Sequence, residues 1–159
     1  MVIQSASVRR ILAGAVTATV LVLTITGCDT DSPKEQPDRE RKAASVQVFK
    51  LHMAKDLWSR TSRQSGGLGV GEPRSLAEDP NGTTATIELT GPQMVDYLKL
   101  LDYNAHGGAF ATDRSLAATV YDTLAPMVDQ IQTPPAPGAP VPEVTINAAI
   151  ASTTSEAPK

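Results

Sequence analysis

Ser45-Val46-Gln47-Val48-Phe49-Lys50-Leu51-His52-Met53-Ala54-Lys55-Asp56-Leu57-Trp58 is the stretch on which the fold class turns. Val46, Phe49, Met53 and Leu57 recur at spacings of three and four, the pattern of one helix face. Val48, Leu51 and Trp58 widen that stripe. Neither glycine nor proline interrupts residues 39–63, Asp38 is placed to cap them, and Arg41 stands at the third helical position. The spacing therefore predicts a first helix over 39–63.

Working outward, residues 65–82 read as one long Gly-rich loop. Ser65-Gly66-Gly67-Leu68-Gly69-Val70-Gly71 opens it, and Pro73, Asp79-Pro80 and Asn81-Gly82 mark turns. Residues 83–89 alternate, with Ala85, Ile87 and Leu89 on one side and Thr84, Thr86 and Glu88 on the other, which predicts a strand. Its best partner is 143–150, where Val144 and Ile146 alternate with Thr145 and Asn147. Thr90 and Gln93 stand at capping-box spacing with Pro92 in the first turn, which predicts a second helix carrying Met94, Val95, Leu98 and Leu101. Asn104-Ala105-His106-Gly107-Gly108 ends it, because glycine supplies the left-handed conformation of a C-cap. Thr112-Asp113 opens a third helix with Leu116, Val120, Leu124, Met127 or Val128, and Ile131 along one face. Pro126 lies inside it, where it removes a backbone bond.

The expected fold is thus mainly α: a small three-helix domain over 39–132, with room for one short strand pair. A small α+β domain with its sheet at one end is the alternative. Residues 28–38 lack apolar side chains after Cys28 and read as a flexible tether. Residues 133–159 form a Pro-rich linker and tail, with Pro134, Pro135, Pro137, Pro140 and Pro142 favouring extended polyproline II.

Composition narrows the function classes. The formal net charge is −3, against the clustered Lys and Arg that neutralise phosphates, so nucleic acid is not an expected partner. Cys28 is the single cysteine, which rules out an intrachain disulfide and a cysteine-ligated zinc. Aromatic side chains are few: Phe49, Trp58, Tyr97, Tyr103, Phe110 and Tyr121.

The N-terminal residues carry an address. Arg9 and Arg10 precede an apolar run over 11–25, and small residues follow, the order of an export signal. The run is at the short end of the roughly 20 residues that a membrane-spanning helix needs. Ile25-Thr26-Gly27-Cys28 resembles the lipobox of bacterial lipoproteins. The resemblance covers residues 1–28. It implies removal of 1–27, a diacylglycerol on the Cys28 sulfur, and a mature chain held at the outer face of the cell membrane. Two acyl chains anchor firmly where one binds marginally. The export route, general secretory or twin-arginine, stays open, although Val8-Arg9-Arg10-Ile11-Leu12 loosely resembles a twin-arginine signal.

Candidate chemistry is sparse. Gly67-Leu68-Gly69-Val70-Gly71 lacks the preceding strand, following helix and lysine of a phosphate loop, and reads as a flexible connection. His106-Gly107-Gly108 resembles the oxyanion segment of some esterases, but no Gly-x-Ser-x-Gly accompanies it. A helix C-cap accounts for it more simply. His52 falls on the first predicted helix, beside Lys55 and Asp56. No spacing of His52, His106, Asp96 and Asp102 demands a metal. Paired carboxylates hydrolyse glycosidic bonds, and Asp96, Asp102, Asp113, Asp122 and Asp129 are the candidates, although solvated helix faces and caps explain most of them. Trp58 more readily closes the core than stands in an interface, where tryptophan is enriched. Trp58 and His106 are the residues to watch for an interface.

No catalytic residue, cofactor or metal is assigned from the sequence. The expectation is a lipid-anchored extracytoplasmic protein, most simply a non-catalytic binding or accessory module with a protein partner at the cell surface. A small cell-wall-acting hydrolase using carboxylates is the alternative.

Overall fold

The computed structural model describes residues 31–63 and 69–147. Its elements in chain order are α1 (Gln36–Ala44), β1 (Phe49–Ala54), α2 (Lys55–Thr61), β2 (Ser75–Glu78), β3 (Thr84–Leu89), α3 (Gly91–Ala105), α4 (Arg114–Asp129) and β4 (Glu143–Ile146). The strands form one mixed sheet in the order β2-β3-β1-β4. The fold is therefore α+β, which overturns the mainly α three-helix expectation.

The correction lies in the opening stretch. Phe49, Leu51 and Met53 are buried, whereas Lys50 and His52 between them are half-buried on the other face. That is period two, the strand period. Phe49 and Met53 satisfy both templates, but Leu51 falls far from them around a helix and beside them on a strand. The helix predicted over 39–63 is instead the end of α1, then β1, then the short α2 with Leu57, Trp58 and Thr61 inward.

β1 lies between β3 and β4. It pairs antiparallel with β3, Phe49 opposite Leu89 and Met53 opposite Ala85. It pairs parallel with β4, Leu51 opposite Val144 and Met53 opposite Ile146. Residues 143–146 therefore join β1, not the strand at 83–89 that the alternation suggested. β3 takes β2 on its other side, Leu76 opposite Ile87. β2 falls inside the expected 65–82 loop. All four of its side chains are exposed, so no apolar pattern betrayed it. The turn after β2 uses Gly82 at φ 65°, with its N–H donating to the Asp79 carbonyl, the left-handed geometry that Asn-Gly sequences favour.

α3 and α4 cover one face of the sheet, and α1 packs against α3 and α4. Phe49, Leu51, Ile87 and Leu89 from the strands meet Met94, Tyr97, Leu98 and Leu101 of α3 and Leu116, Val120, Leu124 and Val128 of α4. α3 starts with a full capping box between Thr90 and Gln93, as the sequence predicts. Its first residue must be glycine, because a Cβ on Gly91 would stand 2.5 Å from the Val46 carbonyl oxygen and 2.8 Å from that of Ala43. α4 carries Pro126 in its interior.

Of the expected 28–38 tether, residues 31–38 are described. α1 begins at Gln36, and the Asp31 N–H donates to the His106 carbonyl at 3.0 Å. Residues 31–38 are thus fastened to the fold, and the folded unit extends beyond 39–132 on both sides. Cys28 and Ile25, Thr26 and Gly27, as well as 64–68 and 148–159, lie outside the described residues.

Candidate functional site

Three places bring chemistry-bearing side chains together. The first is where α3 ends. His106 is the C-cap of α3, and its Nδ1 lies 2.7 Å from Asp102 Oδ1, one helical turn earlier. A carboxylate accepts, so Nδ1 carries the proton of that bond. Ser32 Oγ donates to the other oxygen, Asp102 Oδ2, at 2.7 Å. The His106 ring stands edge-on to Tyr121, centroids 5.4 Å apart.

The network continues into α1. The Tyr121 hydroxyl donates to Gln36 Oε1 at 2.5 Å and accepts from Arg39 Nη1 at 3.1 Å. Arg39 also grips Asp129 with two parallel bonds, Nε to Oδ1 at 2.9 Å and Nη2 to Oδ2 at 2.8 Å. Burial raises the Tyr121 hydroxyl above its ordinary value against the opposing pull of Arg39. The hydrogen bond from Arg39 holds Asp129 below the usual carboxylate range.

Asp102 and His106 were separate candidates in the sequence, and the structure brings them together. The order of contacts decides what they can do. In a nucleophilic triad the histidine stands between hydroxyl and carboxylate. Here the carboxylate stands between the hydroxyl and the histidine, which is not the order of a triad. The arrangement is a clamp that seats 31–32 on the end of α3.

The second place is the helix-free face of the sheet. His52 is on β1, not on a helix, and bridges two strands. Its Nδ1 lies 2.9 Å from Thr86 Oγ1 on β3, and its Nε2 2.6 Å from Glu143 Oε1 on β4. This order could take a proton from Thr86. An acyl-transfer site also needs aimed N–H donors, and the neighbouring backbone is engaged in the pairing of β1 with β3 and β4. We read it as a cross-strand polar ladder, flanked by Lys50 and Glu88 at 3.7 Å. Sequence reasoning missed it because the three residues meet only in the sheet.

The third place is a cleft of about 590 Å³ between α2, residues 69–73 and the β2 edge, lined by Lys55, Trp58, Ser62, Arg63, Pro73 and Leu76 among others. The segment 69–73 is held there by the Val70 N–H donating to Ser62 O at 3.0 Å, and by Gln93 Nε2 donating to Glu72 O at 2.5 Å. Leu76 shares the core-facing side of the sheet with Ile87 but is 41% exposed. Trp58 is largely buried, edge-on to Tyr97 at 5.2 Å, and shows the cleft only part of its ring.

The other candidates separate. Asp113 occupies the N-cap position of α4 without a side-chain cap bond and instead accepts from Arg60 at 3.0 Å. Asp129 is taken by Arg39. Among the described residues, no group of three His, Cys, Asp or Glu side chains is placed to hold a metal, and no helix is long and apolar enough to cross a membrane. No protein family, curated protein or solved structure matches the chain.

Proposed function

We propose that this chain is a lipid-anchored extracytoplasmic module that holds a partner protein at the outer face of the cell membrane without transforming it. The diacylglycerol on Cys28 is the anchor. The binding element is the edge strand β2 with the cleft beside it. The observation that supports this reading is the juxtaposition of an open sheet edge with Trp58, Pro73 and Leu76. An extended peptide adds to such an edge through main-chain bonds and places alternate side chains in the adjoining pocket.

The test is a photo-cross-linking residue at position 76 of the membrane-held chain, with a second at the exposed position 122 of α4 as control. A peptide of one protein attached at 76 and not at 122, and lost when Cys28→Ala releases the chain, is the expected result. Attachment to wall glycan alone would overturn the module. It would move attention to hydrolase assays on Asp102→Asn and His106→Gln chains.

A further inference from the structure

We propose that the loop 107–112 is a membrane contact, with Phe110 seated in the lipid surface that holds Cys28. The inference rests on the anchor proposed above and assigns the end of the domain that faces the lipid. Phe110 is the most exposed large apolar side chain among the described residues, at 78%. Residues 107–112 contain no charged side chain.

The loop is rigidly seated. The Phe110 N–H donates to the Tyr103 hydroxyl at 3.0 Å, and the Gly108 N–H donates to the Tyr103 carbonyl at 2.8 Å. The Tyr103 ring occupies the space where a Cβ on Gly108 would stand, 2.3 Å from it. The aromatic side chain is therefore presented from a fixed base, without much ordering to be done on contact.

The chain path places this loop next to the anchor. Asp31 is hydrogen-bonded to the His106 carbonyl and Ser32 to Asp102. Cys28 lies only three positions before Asp31, a reach of at most about 11 Å of extended chain. A lipid on Cys28 thus holds the α3 end of the domain at the membrane. The far end is remote. α3 has 15 residues, roughly 22 Å at the helical rise. It starts beside Leu89, and β1 places Lys50 opposite both Glu88 and Glu143. Val141, 46% exposed and just before Glu143, therefore marks the opposite end.

The experiment uses residues 28–159 coupled through the Cys28 sulfur to a maleimide phospholipid, in vesicles carrying brominated acyl chains. Bromine quenches tryptophan only at lipid depth. Phe110→Trp is expected to add emission that the brominated lipid quenches at least twofold more than in unbrominated vesicles. Val141→Trp is expected to add emission that it does not quench. Equal quenching of the two, or quenching of Val141→Trp alone, overturns the proposal. So does unquenched emission from both, which would leave the loop to a protein. Circular dichroism matching the unsubstituted chain shows that each variant is folded. Because the coupling is chemical, the result is independent of lipidation in cells. The mass of Cys28 from native membranes tests that separately, and an unmodified cysteine there would overturn the anchor and the membrane contact that rests on it.

Discussion

The Tyr97 hydroxyl and Thr61 Oγ1 meet inside the core at 2.7 Å, joining α3 to the end of α2. Thr61 Oγ1 donates its single hydrogen to the Leu57 carbonyl at 2.8 Å, so Tyr97 is the donor of the pair. Burial pushes the Tyr97 hydroxyl well above its ordinary value. The folded state therefore favours the neutral phenol. Its contribution is complete below the unfolded value of about 10 and is lost as pH rises through the folded one. We expect alkaline unfolding that is blunted in Tyr97→Phe, with the remaining slope coming from Tyr121. At neutral pH, Tyr97→Phe should cost about 0.5–1.5 kcal/mol. Thr61→Val, which strands the buried donor, should cost about 1–3 kcal/mol. Denaturant unfolding across pH 7 to 11 reads both.

Arg39 and Asp129 give the opposite dependence. Asp129 is held below the ordinary carboxylate value by Arg39. The pair thus contributes fully above the unfolded value and is lost as pH falls through the folded one. Asp129→Asn should flatten the loss of stability between neutral and acid pH. A slope identical to that of the unsubstituted chain would mean that solvent screens the pair entirely.

Gly91→Ala separates propensity from packing. Alanine is the better helix former by about 1 kcal/mol. At this site its Cβ would press on the Val46 and Ala43 carbonyl oxygens at 2.5 and 2.8 Å. Backbone atoms cannot swing aside, so destabilisation of about 1–3 kcal/mol is expected from overpacking. A stabilised variant would show that α1 is free to back away from α3.

Asp102→Asn tests the clamp. Ser32 and His106 both rely on this carboxylate, and they hold the segment whose Asp31 N–H bonds the His106 carbonyl. Hydrogen exchange at Asp31 should rise at least tenfold in Asp102→Asn while the amides of β1 keep their protection. Unchanged exchange at Asp31 would assign the seating of 31–32 to other contacts.

What could be read beforehand divides by the range of the interaction. The capping box of Thr90 and Gln93, the alternation of β3, the stripe of α4 and the inward place of Trp58 are local patterns, and each is present in the fold. β1 was misread because Phe49 and Met53 serve both periods, and only Leu51 favours the strand. β2 was invisible because an edge strand with four exposed side chains needs no apolar pattern. Of the site residues, Asp102 and His106 were within reach because a helix turn brings i and i+4 together. Thr86, His52 and Glu143, and the seat of Ser32, were not, because strand register and chain docking join residues far apart in the sequence.

The sequence by itself determined the start and stop of α3, the start of α4 and the β3 strand. Each depends on side chains within a few residues of one another. Tertiary structure alone decided that 49–54 is a central strand, that 143–146 lies parallel to it, and that 31–38 is fastened to the domain. Those outcomes rest on burial and hydrogen bonds between distant segments, which close only when the whole chain has found its place.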